Sequence, residues 1–128
     1  MKVVLDSNFL LLPFETGIDI FRGAEKLVDG KAQFVVFKES LGELSSSRKK
    51  RMQAAAISEA LRKEGAEILE EKGKVDDMIF EYAAKNSGGV AVCTEDRALQ
   101  RRLRDAGGVQ LIYSKERSHL ATDWQRGD

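Results

Sequence analysis

Val3-Val4-Leu5-Asp6 and Val90-Ala91-Val92-Cys93-Thr94-Glu95-Asp96 decide the fold. Each is a short apolar run that stops at polar, acidic residues. Unbroken apolar runs of this length read as strands buried on both faces, which is the mark of a parallel sheet. Gln33–Phe37 and residues 109–113 repeat the pattern, and residues 66–69 offer a shorter version. Helical spacing fills the gaps. Ile18, Phe21, Ala24, Leu27 and Val28 fall at helical intervals within 17–28, and residues 39–44 read as a short helix. Residues 48–64 form a long one, 74–85 carry Ile79, Tyr82 and Ala83 on one stripe, and 97–106 carry Leu99 and Leu103. Pro13 interrupts the apolar stretch 9–14. Strands alternating with helices imply right-handed crossovers and an α/β class, a three-layer α/β/α sandwich around a central parallel sheet of about five strands. Past Ser114 the chain turns polar, so the reading is one domain over 1–114 and a partly frayed polar tail over 115–128.

The chain has 128 residues, 42% apolar and 33% charged, with 21 Lys plus Arg against 21 Asp plus Glu. That balance excludes a disordered chain and a globally basic nucleic-acid binder. No apolar run approaches the roughly 18 residues of a membrane span, and an acid at position 6 argues against a signal peptide. The single cysteine, Cys93, makes no internal disulfide and fits a reducing cytoplasm. Set inside an apolar strand, it reads as an inert buried thiol.

Parallel strands deliver their carboxyl ends to one edge, and ligands of such sheets sit beyond that edge. Asp6 ends the first strand and Asp96 follows the strand 90–93. Glu43 lies about a helical turn past Gln33–Phe37, and Asp76 and Asp77 open the next helix. These acids converge on one pocket if the topology holds. Carboxylates so crowded raise one another's pKa and call for a cation. Oxygen-only donors select Mg²⁺ or Mn²⁺, and no His/Cys cluster exists for zinc. Such a site suits phosphodiester hydrolysis by activated water. Each acid also has a plainer role: Asp6, Asp76, Asp77 and Asp96 as caps, Glu43 as a solvated helix residue. The weight lies on the combination.

Four segments carry a family resemblance: Val4-Leu5-Asp6-Ser7-Asn8-Phe9-Leu10-Leu11, Ser40-Leu41-Gly42-Glu43-Leu44, Lys74-Val75-Asp76-Asp77-Met78-Ile79, and Ala91 through Leu99. In order and spacing they resemble the PIN-domain ribonucleases over most of the chain, roughly residues 2–113. The resemblance implies a five-stranded α/β/α domain and Mg²⁺- or Mn²⁺-dependent endonucleolytic cleavage of single-stranded RNA, or of structured RNA with exposed loops. Carried over by position, Asp6, Glu43 and Asp96 are metal-site acids. The remaining family acid falls on Asp76-Asp77. Asp76 lies three and seven residues before Ile79 and Ala83, which puts it on the helix's inner face, with Asp77 as neighbour or outer ligand. Ser7, Asn8 and Thr94 offer hydroxyl and amide groups to orient ligands. Glu95 stands where relatives often have a neutral polar residue.

Residues 16–21 and 96–103 look more like archaeal proteins akin to small-subunit rRNA-processing PIN nucleases. VapC-type toxins of toxin–antitoxin pairs share the same acids. Partners implied are therefore RNA, and an antitoxin or a ribosome-assembly protein. A catalytically inactive PIN-fold scaffold is the competing reading from another class. A phosphorylated receiver domain is set aside, because it needs an acidic pair at the first strand and a lysine after a late one. Arg48, Lys49, Lys50 and Arg51 on one helix, and Arg101, Arg102 and Arg104 on another, are candidate phosphate contacts. Their other reading is a solvated helix face. The six Phe are core candidates, with Phe9 and Phe14 the two that suit a homodimer contact.

Overall fold

The computed structural model describes residues 1–44 and 48–125, apart from the side chains of Arg48, Lys49 and Gln125. The elements run β1 Lys2–Leu5, α1 Ser7–Leu10, α2 Leu12–Thr16, α3 Ile20–Leu27, β2 Gln33–Phe37, α4 Lys38–Glu43 and α5 Arg48–Lys63. They continue with β3 Glu67–Leu69, α6 Val75–Lys85, β4 Val90–Cys93, α7 Arg97–Ala106, β5 Val109–Lys115 and β6 His119–Gln125. The sheet order is β3-β2-β1-β4-β5-β6. The first five strands are parallel, and β6 returns antiparallel to β5.

β1 lies between β2 and β4, and its Val3, Val4 and Leu5 have no exposed surface. Side chains alternate across a strand, so each run feeds two cores. Val3, Leu5, Phe34, Val36, Ala91 and Cys93 pack on one face with Phe9, Leu10, Ile20, Phe21 and Leu61. Val4, Val35, Phe37, Val90 and Val92 pack on the other with Ile79, Ala83, Leu99 and Leu103. Helices thus cover both faces, which is why these strands read as unbroken apolar runs instead of alternating ones. The order reverses at β1/β4: β2 and β3 build outward on one side, β4 and β5 on the other. That reversal opens a crevice at the carboxyl ends of β1 and β4.

Pro13 breaks the apolar stretch 9–14 in the first turn of α2, where its missing N–H costs nothing. Two expectations change. Phe9 is completely buried and so is no surface for a second copy, whereas Phe14 is 45% exposed. Residues 115–125 belong to the sheet: β5 runs on to Lys115 and β6 pairs along it from Lys115↔His119 to Val109↔Gln125. β6 is amphipathic rather than uniformly apolar. Leu120 packs against Gly23 of α3, and Thr122 Oγ1 donates to the Leu111 carbonyl at 2.7 Å. Its polar composition is that of a half-solvated edge strand.

At the opposite, amino-terminal edge, the turns before β4 and β5 interlock. Gly88 N donates to Gly108 O at 2.8 Å, and Gly108 has φ +74°. A Cβ there would stand 1.9 Å from Ser87 Oγ. Gly108→Ala is expected to cost about 2–4 kcal/mol, from strain plus the clash. Denaturant unfolding with and without Ser87→Ala checks this; the double variant recovers part of the loss. Burial also pushes the Cys93 thiol pKa far up. A thiol reagent is expected to leave the native protein unmodified at pH 8 and to label it fully once unfolded.

Candidate active site

The register builds the site. Leu5 faces Cys93 across β1/β4, so one step on Asp6 faces Thr94. Asp6 N donates to the Cys93 carbonyl at 3.0 Å, which holds the pairing just past the strand ends. Asp6 is 7% exposed. Its Oδ1 accepts from Ser7 N at 2.8 Å and its Oδ2 from Thr94 Oγ1 at 2.7 Å. The fully buried Thr94 hydroxyl in turn accepts from Asp96 N at 3.0 Å. One hydroxyl therefore links the two acids contributed by β1 and by the β4–α7 turn.

Asp6 and Asp96 are both helix caps as well. Asp6 begins α1, and Asp96 Oδ1 accepts from Ala98 N at 2.9 Å and Leu99 N at 3.1 Å to begin α7. The plainer role and the chemical one coexist on the same side chains. Asn8 Oδ1 accepts from Glu95 N at 3.1 Å, which fastens α1 to that turn. Gln100 reaches back from α7 to the Thr94 carbonyl at 2.8 Å.

A cavity of about 420 Å³ opens over this edge, lined by Asp6, Ser7, Asn8, Glu43, Asp76 and Asp96 among others. Phe37 directly precedes α4, whose last residue is Glu43. Asp76 comes from the first turn of α6. The fold thus brings together Asp6, Glu43, Asp76 and Asp96 with Ser7 and Asn8, and Thr94 lies buried beneath them. Asp77 is not on the cavity wall. It pairs with Arg102 Nη1 at 2.9 Å, and the same guanidinium stands 3.9 Å from Asp76 Oδ2 and 4.6 Å from the centre of the Phe80 ring. Arg102, read from the sequence as a phosphate contact, is therefore engaged in tying α7 to the acidic start of α6. Glu39 and Lys74 also line the cavity and were not singled out in the sequence. The available signal was that Glu39 precedes Glu43 by four residues, one turn on the same helix face. Lys50 and Arg51 are exposed on α5 and do not line this cavity. Residues 45–47 and the Arg48 and Lys49 side chains lie outside the described residues.

The electrostatics are those of crowded acids. Burial raises the Asp6 pKa, the bonds from Thr94 and Ser7 pull it back, and Asp96 and Asp76 add to the rise. Glu43 is raised by partial burial, then by Asp6 and Asp76. Among the described residues no three His, Cys, Asp or Glu side chains stand close enough to hold a metal ion as they are. The donor set is nonetheless all oxygen and all acidic, of the type that takes a hard cation with water completing its shell.

A family model described as a PIN-like domain matches residues 3–117. The chain belongs to the PIN-like domain family. A search of curated proteins found no match. The structure described as that of the PIN domain endonuclease Utp24 superposes with a TM-score of 0.77 at 20% identity, covering 99% of this chain and 96% of that one. The PIN nuclease fold thus extends over almost the whole chain, β6 included.

Because the folded state raises the Asp6 pKa, it favours the protonated form. Its contribution to stability is present below the unfolded carboxylate pKa and is lost as pH rises through the folded one. Asp6→Asn carries no such loss. In chelator, the thermal midpoint of Asp6→Asn relative to wild type is expected to climb by a few degrees between pH 4 and pH 7. A pH-independent difference would contradict the burial of Asp6 and the crowding by Asp96 and Asp76 described above.

Proposed function

We propose that this PIN-like domain is an Mg²⁺- or Mn²⁺-dependent endoribonuclease that hydrolyses single-stranded RNA, or exposed loops of structured RNA, in RNA processing. The observation that supports it most is the buried Asp6 carboxylate, linked through Thr94 to Asp96 beneath a cavity that Glu43 and Asp76 also line. A fold under no functional constraint gains little from keeping a desolvated carboxylate among like charges.

Asp6, Glu43, Asp76 and Asp96 would hold the cation, directly or through water. The bound ion would supply water activation and neutralise charge on the scissile phosphate. Thr94 and Ser7 N hold the Asp6 carboxylate, so its direction is set before substrate arrives. Asn8 and Gln100 keep the β4–α7 turn, and Asp96 with it, against α1 and α7. Arg102 offsets part of the negative charge at the start of α6. Ser7 and Asn8 present polar groups at the cavity wall for the phosphate. No Ser or Cys nucleophile is required.

The rRNA-processing PIN nucleases that the sequence resembles favour a processing role over that of a toxin. The scaffold reading draws on the lack of a ready-made metal cage among the described acids. A labelled single-stranded RNA separates the two. With Mn²⁺ or Mg²⁺, wild type is expected to cut it to 5′-phosphate and 3′-hydroxyl ends, with no cutting in chelator. Asp6→Asn is expected to cut at least about a hundredfold more slowly, the scale lost when a metal-supporting residue is removed. Cleavage by Asp6→Asn at the wild-type rate would remove Asp6 from the reaction, and none by the wild type with either ion would leave the scaffold reading in place.

A further inference from the structure

A second and larger concavity, about 810 Å³, lies between α7, the α1–α2 segment and the β5–β6 turn. Asn8 lines both it and the acidic cavity, so the two adjoin at that residue. Helix geometry sorts the arginines of α7. Arg97, Arg101 and Arg104 recur at intervals of four and three and line this groove, whereas Arg102 turns to Asp77 on α6. Lys115 at the end of β5 and Arg117 in the β5–β6 turn line it too, and Tyr113 contributes a half-buried ring.

Not every charge there is available. Arg104 is paired with Asp123 at 2.7 Å and Arg117 with Glu15 at 3.4 Å. Glu95 accepts from the Ser114 amide and hydroxyl. Asp105 and Glu116 complete the acids of the lining, so its cations exceed its acids by one. What distinguishes the groove is three exposed residues whose charged groups make no ion pair or hydrogen bond with the described residues: Arg97, Arg101 and Lys115. Arg97 and Arg101 sit one turn apart, about 6 Å along the axis, a separation that consecutive phosphates of an extended strand can match.

The turn that follows Lys115 has a further oddity. Glu116 and Arg117 both adopt left-handed backbone, at φ 55° and 53°. Asn-Gly would suit such a turn at lower cost. The chain keeps long charged side chains there instead.

We infer that the groove binds the flanking single strand of an RNA whose scissile phosphate lies over the acids. Arg97, Arg101 and Lys115 take its phosphates, and Tyr113 stacks on a base. This rests on the ribonuclease reading. It adds a direction to it: the strand leaves the cavity past Asn8 along α7. Single-stranded nucleic acid is the occupant favoured because cations and an aromatic side chain line one groove that adjoins the acidic cavity at Asn8.

The test is fluorescence anisotropy of a labelled single-stranded RNA in chelator, where binding is read without cleavage, across a salt series. Arg97→Ala/Arg101→Ala/Lys115→Ala is expected to weaken binding about tenfold or more. It should also flatten the slope of log K against log salt by about two, at roughly 0.7 for each phosphate no longer neutralised. Lys26→Ala/Lys63→Ala, with no part in this groove, should bind as wild type. Tyr113→Leu should weaken RNA binding and leave binding of polyglutamate, the acidic-peptide probe, unchanged, while Tyr113→Phe keeps the ring and the RNA affinity. Thermal midpoints identify any variant that loses its fold, and single replacements of Arg101 and Lys115 then stand in for the triple variant.

Wild-type affinity and slope in the triple variant would overturn the inference. So would polyglutamate displacing the RNA as well as unlabelled RNA does, with Tyr113→Leu without effect, which assigns the groove to an acidic protein segment. Wild type that cuts RNA with Mn²⁺ yet shows no binding through this face removes the groove and leaves the nuclease. Wild type that neither cuts nor binds removes both.

Discussion

One hydroxyl sets the geometry of the carboxyl edge. Thr94 is buried at the end of β4, donates to Asp6 and accepts from the backbone of Asp96. A carboxylate as desolvated as Asp6 is costly unless its oxygens are satisfied, and hydrogen bonds to a charged acceptor are each worth about 1.5–3 kcal/mol. Thr94 and Ser7 N supply those bonds. Asp6 and Asp96 themselves cap α1 and α7, and Asn8 fastens α1 to the β4–α7 turn. Those turns leave the central strands β1 and β4 with every apolar side chain already committed to one face or the other. The edge therefore has little freedom to relax around the acids.

The result is a rigid base under a set of mutually repelling groups. Asp6 and Glu43 both hold protons more tightly than free carboxylates do, because burial and neighbouring acids penalise their charged forms. Such sites trade stability for function. The protein offsets part of the cost locally, by setting Arg102 against Asp77 and near Asp76 with its flat face over Phe80. The division of the α7 arginines follows from helix geometry alone. Adjacent positions on a helix point about 100° apart, so Arg101 and Arg102 cannot serve one surface.

The two central strands were legible because double-sided burial removes polar residues from the run and leaves an acid only where the strand ends. Asp6 and Asp96 could be found for the same reason. β6 was not legible: its outer face is solvated and its inner side chains include a Leu and a Thr, so its composition matched that of a loose end. The role of Pro13 depended on where a helix began, which a local stretch does not state. Glu39 went unnoticed because an exposed glutamate on a short helix has no local distinguishing mark, and only the cavity above it gives it one.

The sequence by itself determined the alternation of strands and helices, the parallel core and the placing of acids at strand ends. These are set by periodicity and burial within a few residues. The tertiary structure alone decided which side of each helix met which neighbour. It put Asp76 on the cavity and Asp77 against Arg102, joined Thr94 to both acids, buried Phe9, recruited β6 to the sheet and opened the groove beside α7. Those outcomes depend on strand register and helix rotation across distant parts of the chain, and a local pattern cannot encode a bond between residues 6 and 94 until the sheet brings them together.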